Sequence, residues 1–325
     1  MDPFRYTKAS DEQSALRAGA AGARYIAGGT TLVDLMREAV ERPHALVDIN
    51  ALPYTEIHVQ PGMIRIGSLV RMSDLAAHPE IRQRVPVISQ ALELSASAQL
   101  RNMASIGGNL LQRTRCLYFR DISAPCNRRT PGAGCAAIDG RNRTHAILGT
   151  SSSCIATHPS DLAVALLALD AVVLARDTAG ERRIALADLY AKPADEPQRE
   201  TTLRPGELVV AVEVPLGPEV RRCGYLKVRD RQSFEFALTS AAVALDIGPV
   251  AIRSARVAAG GVGTVPWRLP AVEAALRGQR PDAATFRKAA ELAADGAYPL
   301  RENGFKVELL KRTVERQLTL VAALP

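Results

Sequence analysis

Residues 24–32 read Arg24-Tyr25-Ile26-Ala27-Gly28-Gly29-Thr30-Thr31-Leu32. Arg24 to Ala27 reads as a short strand and Gly28 to Thr31 as a tight turn. Leu32 to Val40 is helical, with apolar residues at 32, 35, 36, 39 and 40. A glycine pair between strand and helix lets backbone N–H groups come close to an anion, because no Cβ stands in the way. The pattern is neither GxGxxG nor a Walker loop, so a Rossmann or P-loop reading has no support. Taken alone, the turn fits a plain chain reversal equally well.

Upstream, Ser10 and Asp11 cap a helix through Ala18, with Gly19 as its stop. Downstream, Ala45 to Ile49 and Met63 to Val70 read as strands; Ser73 caps a helix, and a second helix follows through about Ala98. A second glycine turn then appears in Ser105-Ile106-Gly107-Gly108-Asn109-Leu110. Two such turns in one domain can clamp the two phosphates of a dinucleotide. A third signal is His158-Pro159-Ser160-Asp161-Leu162-Ala163, where Ser160 or Asp161 caps a helix running from Leu162 to Asp170. Strands follow at Ala171–Ala175 and Leu208–Val214, separated by a charged, Pro-rich loop over Ala191–Gln198. Past a boundary near 218/219, strands at Tyr225–Val228, Ala237–Ile247 and Ser254–Gly260 precede three helical segments from Pro270 to Leu324. Strands followed by helices indicate an α+β domain with helices on one face of a sheet.

The chain has 325 residues, enough for two cores, and 47% hydrophobic with 23% charged residues is ordinary for a globular protein. The net charge of +7 comes with no Lys/Arg block longer than pairs such as Arg128-Arg129, which speaks against nucleic acid; an anionic cofactor or an acidic partner accounts for it as well. The longest apolar run, Leu162 to Leu169, is far short of the roughly 20 residues of a spanning helix. The N-terminus lacks the basic head and apolar centre of a secretory signal. No GxSxG or HExxH motif announces hydrolysis.

Residues 101–157 hold four of the five cysteines and show no amphipathic period. A segment of that length needs a metal or another organiser to be ordered. Cys116, Cys126, Cys135 and Cys154 have nine, eight and eighteen residues between them. Four thiolates can complete a zinc site or a 4Fe-4S cluster, yet neither CxxC knuckles nor a ferredoxin run is present. Free thiols and disulfides stay open as alternatives; five cysteines cannot all pair within one chain. Cys223, apart from the rest, reads as a small buried residue. His145 and His158 read as supporting groups behind four sufficient thiolates.

The order AGGTTL, SIGGNL, HPSDLA resembles the FAD-binding subunits of the xanthine dehydrogenase family of molybdenum hydroxylases. Tyr225-Leu226-Lys227-Val228-Arg229-Asp230-Arg231, Ala259-Gly260-Gly261-Val262 and Pro266-Trp267-Arg268 extend the resemblance over nearly the whole chain. It implies an α+β fold: a PCMH/VAO-type FAD-binding domain (1–218), then a CO dehydrogenase flavoprotein-like domain (219–325). By that resemblance Ile26, Ala27, Gly28, Gly29, Thr30, Thr31 and Leu32 wrap the FAD pyrophosphate, and Ser105, Gly108 and Asn109 contact its phosphates or ribityl chain. Asp161 lies near the ribityl end or the flavin, Val209 against the ring, and Lys227 beside the isoalloxazine. About forty residues, within roughly 111–156, are inserted relative to most relatives. They resemble the loop of periplasmic aldehyde oxidoreductase flavoprotein subunits in LLQRTRC, PCN and CIATHPSD, which implies a 4Fe-4S cluster on Cys116, Cys126, Cys135 and Cys154. The function implied is electron transfer within an aldehyde oxidoreductase heterotrimer. A large molybdopterin subunit and a small subunit with two 2Fe-2S clusters would supply electrons, and an external acceptor would receive them. The expected location is the periplasm, by co-export with a partner carrying a twin-arginine signal, or else the cytoplasm. Competing readings are the flavoprotein subunit of a xanthine, CO or hydroxybenzoyl-CoA type enzyme, a stand-alone flavin oxidase, and a non-catalytic structural subunit.

Overall fold

In the computed structural model all residues except Asp195 are described, and three sheets carry the chain. The first is parallel, in the order β1 (Arg5–Lys8), β3 (Ala45–Asp48), β2 (Arg24–Ile26). The second is antiparallel: β4 (Ile57–Gln60), β5 (Met63–Gly67), β8 (Leu208–Pro215), β6 (Val172–Asp177), β7 (Gly180–Ala185). The third is also antiparallel: β12 (Trp267–Arg268), β11 (Ile252–Gly260), β10 (Thr239–Ile247), β9 (Cys223–Val228). The α+β reading therefore holds for both halves. The sequence reading lacks β1, β4, β7 and the two-residue β12; β1 is exposed along its length and β7 largely so, which leaves little hydrophobic period to read.

The helix boundaries differ from the sequence reading for local reasons. The first helix runs Glu12–Ala20 with Asp11 as its cap, so Gly19 lies inside it. A Cβ there would come within 2.0 Å of the Tyr25 hydroxyl oxygen, so close packing, not helix termination, requires this glycine. The next helix is short, Leu32–Arg37, and Ala39 just beyond it has a φ of 57°. Ser73 is not a cap: Arg71 is, and the helix is Met72–Ala77. The long second helix is two, Pro79–Arg84 and Pro86–Glu93, each opened by a proline at its first position.

The strand β8 is the centre of the first domain, and Leu208 to Val214 are all buried. Val209, Val212 and Val214 face one core while Leu208, Val210 and Ala211 face another. Its Glu213 is buried and held by Arg65 at 2.9 Å and Arg183 at 2.7 Å. The helix Asp161–Ala168 is apolar all round and buried at every residue, as a helix enclosed by protein should be. It shares one core with Cys223, Tyr225, Ala242 and Ala258, so the two halves are packed through it.

At the start of that helix the Ser160 hydroxyl caps the Ala163 N–H at 3.0 Å. This leaves Asp161 free to face the second domain. Its carboxylate accepts from Lys227 Nζ at 2.7 Å, the Tyr225 hydroxyl at 2.6 Å and the Ser95 hydroxyl at 3.0 Å. Side-chain exposure is 1% for Lys227 and 6% for Asp161. Breaking such a buried pair from one side costs about 3–5 kcal/mol, because the other charge is left uncompensated. Lys227→Met should therefore lower the unfolding free energy by that order in denaturant titrations. Adding Asp161→Asn should restore part of it. A single-variant loss below about 1 kcal/mol, the level of an exposed pair, would contradict this role.

Candidate functional site

The two glycine turns meet at one cavity of about 760 Å³. Its size lies within the roughly 300–1,000 Å³ usual for cofactor sites. Ile26, Ala27, Gly28, Gly29, Thr30, Thr31 and Leu32 line it, together with Ser105, Gly108 and Val209 of β8. Gly29 adopts a φ of 69°, the left-handed region that favours glycine. Gly28 is fixed by another constraint: a Cβ would lie 1.9 Å from the Met103 carbonyl oxygen, at the end of the helix Ala98–Met103. In the second turn Ser105 caps the helix Ile106–Leu110, its hydroxyl accepting from the Gly108 N–H at 3.2 Å.

Asn109, Asp161 and Lys227 do not line this cavity. Asn109 is buried behind the turn, where its Oδ1 accepts from the Ser160 hydroxyl at 2.6 Å. It thus ties the second glycine turn to the helix cap, while Asp161 and Lys227 pair with each other. Burial beside the Asp161 carboxylate holds the Tyr225 phenol well above its ordinary pKa.

Four charged residues on the cavity wall escaped the sequence reading. Arg113 pairs with Glu41 and, at 2.5 Å, with Glu200; Arg128 reaches Glu200 at 2.9 Å. All four line the cavity. Their partners lie 72 and 87 residues away from Arg113, so no local spacing announces them. His158 lines the same cavity, its ring set edge-on to Tyr190 with centroids 4.5 Å apart. Its Nδ1 accepts from the Ser160 N–H at 3.3 Å. Burial, and next Arg128, pull its pKa down to about 3, so the ring is neutral.

Cys116, Cys126, Cys135 and Cys154 border a second, much smaller cavity of about 10 Å³. None of the four is bonded to another cysteine. Cys126 and Cys135 face each other across an isolated antiparallel bridge. The Cys154 sulfur accepts from the Ala156 N–H at 3.4 Å and lies 3.7 Å from Arg128 Nη2. The Cys116 sulfur lies 3.2 Å from His145 Nε2. Burial pushes the Cys116 thiol up to about 12 and raises that of Cys135. Among the described residues, no group of three or more His, Cys, Asp or Glu is arranged to hold a single metal ion. Cys223 is buried in β9 and borders neither cavity.

The loop carrying these cysteines is held by polar stitching. The Asn127 side chain donates to the Ser153 carbonyl at 3.0 Å and accepts from the Gly134 N–H at 2.8 Å. Arg129 donates to the carbonyls of Tyr118 and Phe119. From the second domain, Lys306 at the start of the helix Phe305–Ala322 donates to the carbonyls of Thr144, His145 and Gly261 at 2.7–3.0 Å. Burial lowers the Lys306 pKa to about 7. Asn142 and Glu302 exchange two hydrogen bonds, each 3.0 Å.

Residues 2–217 match the family model described as the FAD binding domain in molybdopterin dehydrogenase, and residues 224–320 match the CO dehydrogenase flavoprotein C-terminal domain. The chain belongs to this flavoprotein family. It is an oxidoreductase component, and the large cavity is where its FAD-binding domain joins both glycine turns. It is 50% identical to the aldehyde oxidoreductase FAD-binding subunit of Escherichia coli (strain K12), over 90% of this chain and 89% of that protein. It is 29% identical to the 6-hydroxypseudooxynicotine dehydrogenase complex subunit alpha of Paenarthrobacter nicotinovorans, over 97% and 93%. A carbon monoxide dehydrogenase structure from Hydrogenophaga pseudoflava superposes with a TM-score of 0.78 at 21% identity, covering 99% of this chain and 98% of that one. That likeness establishes the fold.

The neutral His158 gives a testable pH dependence. Its pKa in the fold is depressed below the roughly 6.5 of an unfolded histidine, so the unfolded state binds the extra proton first. Stability contributed by the neutral ring is complete above about pH 6.5 and falls by about 1.4 kcal/mol per pH unit below it, until the folded ring titrates. Nitrogen-detected imidazole spectra should show His158 neutral near about pH 5.5, with Nδ1 as the acceptor. A charged ring at that pH would refute the partly buried, neutral placement.

Proposed function

We propose that this chain is the FAD- and 4Fe-4S-binding electron-transfer subunit of a molybdenum-containing aldehyde oxidoreductase. In this reading it works with a large molybdopterin subunit and a small 2Fe-2S subunit and delivers electrons to an external acceptor. The observation that carries the flavin assignment is the convergence of both glycine turns on one cavity. Its walls fit a dinucleotide: glycine backbone on two sides, Val209 as an apolar surface, and a buried, unpartnered Ser68 hydroxyl on the cavity wall. Bound there, FAD supplies a carrier that takes electrons singly and releases two. The residues of the chain would cradle its phosphates at the turns, while the Arg113/Glu41/Glu200/Arg128 network keeps that wall in place. The aldehyde class rests on the 50% identity with the Escherichia coli subunit.

The cluster assignment rests on the donor set. Four cysteines of one loop border one space, and the Cys154 sulfur receives an amide N–H and faces a guanidinium. Burying thiols raises their pKa, so a thiolate set in this place needs a positive centre to balance it. A four-iron core takes four thiolates, the number of cysteines that border this space.

Purified chain should release noncovalent FAD on acid precipitation and contain about four irons and four sulfides. Replacing Cys126 and Cys135 together by Ser should abolish iron and sulfide and lower FAD content, since the loop joins the second glycine turn to the Asp161 helix. Cys223→Ser should do neither. Stoichiometric zinc without sulfide, or a cluster that survives loss of both cysteines, would overturn the assignment. Released FMN, or flavin retained on the denatured chain, would overturn noncovalent FAD.

A further inference from the structure

Arg128 is the one described residue that borders both cavities. It is 6% exposed and lies between Cys126 and Cys135 in sequence. One arm of its guanidinium, Nη1, binds Glu200 Oε2 at 2.9 Å on the wall of the large cavity. The other, Nη2, faces the Cys154 sulfur at 3.7 Å. Its Nε is buried with no partner. Glu200 is shared with Arg113, which also holds Glu41, so the guanidinium is braced from the flavin side.

We propose that Arg128 sets the reduction potential of the group held by the four cysteines, and that it does so from the flavin side of the partition. This rests on the cluster reading above. A cluster gains one negative charge when it takes an electron. A fixed guanidinium next to a ligand sulfur stabilises that reduced form, and charge and hydrogen bonds at the sulfurs are among the main determinants of cluster potential. In a water-poor partition the interaction is weakly screened. The planar fork of arginine reaches Glu200 and Cys154 together, whereas a lysine is a single point charge. The same side chain therefore faces the cysteine set and the flavin cavity at once, and joins their electrostatics without any covalent link.

The test is a redox titration of the cluster in the full chain, followed by low-temperature paramagnetic resonance and visible absorbance. Arg128→Gln and Arg128→Lys are compared with Arg141→Gln, which removes an exposed charge from the same loop. Iron and sulfide analysis of the wild type first establishes whether a cluster exists; its absence there would sink the cluster reading, separately from the role of Arg128. With a cluster present, Arg128→Gln should lower its potential so that the oxidised-to-reduced ratio at fixed potential rises at least tenfold, about 59 mV for one electron. Arg128→Lys should return most of that shift, and Arg141→Gln should produce little. An unchanged potential in a fully loaded Arg128→Gln overturns the proposal, as does an equal shift in Arg141→Gln. If Arg128→Gln fails to hold iron, the Lys variant decides. Loading at the wild-type potential supports a charge role, and loss of iron in both variants shows a packing role only.

Discussion

The buried carboxylate of Asp161 is the constraint around which the two halves are arranged. Three donors converge on it from two places: Ser95 after the proline-opened helix Pro86–Glu93, and Tyr225 and Lys227 on β9. An ion pair this deeply buried does not by itself stabilise a fold against an apolar replacement; its effect is to penalise every arrangement in which one partner is missing. That makes it a device for register. It fixes β9, and with it the second domain, against the start of an otherwise featureless apolar helix. The helix could slide or rotate in its hydrophobic surroundings at small cost. The single charge at its first turn prevents this.

The register matters because the inserted loop ends where that helix begins. Asn109 closes the other end, its side chain bonded to Ser160 next to Asp161. Both ends of the insertion are thus pinned to one point, and the loop can be long without moving the glycine turn. Between those ends the hydrophobic packing is patchy: Phe119 and Cys126 form a small buried cluster with Leu35, Val40 and Cys116 lie against it, and Ile147 and Leu148 join the core of the second domain. The rest is carried by Asn127, Arg129 and Lys306 bonding to backbone carbonyls and amides. Each such bond contributes on the order of 1 kcal/mol net, which sets directions but is a weak substitute for a core. Four thiolates on one inorganic centre would supply the missing cohesion.

The sequence made some of this legible and some not, for physical reasons. The glycine turns were readable because backbone approach leaves a mark in residue type, and the central strand β8 because its two buried faces give a continuous apolar run. The capping role of Ser160 was readable as one of two options. Gly19 misled because its reason is tertiary: it makes room for the Tyr25 ring. The edge strands β1 and β7 were silent since exposed strands need no hydrophobic alternation. The charge network of Arg113, Arg128, Glu41 and Glu200 was invisible in principle, because Coulomb pairing over long sequence separation leaves no periodicity.

That network also explains how two chemically different cavities can lie side by side. The large cavity is bordered by glycine backbone, which suits an anion; the small one is bordered by four cysteine sulfurs. Placed in contact without anything between, two anionic groups would raise each other's energy in a medium of low polarisability. Among the described residues Arg128 alone borders both cavities, and Arg113, Glu41 and Glu200 brace it along the large one. Their arrangement is directional: Arg128 is turned toward sulfur and Glu200 is held between both guanidiniums. The inserted loop thus contributes, besides the four sulfurs, the guanidinium that borders both cavities.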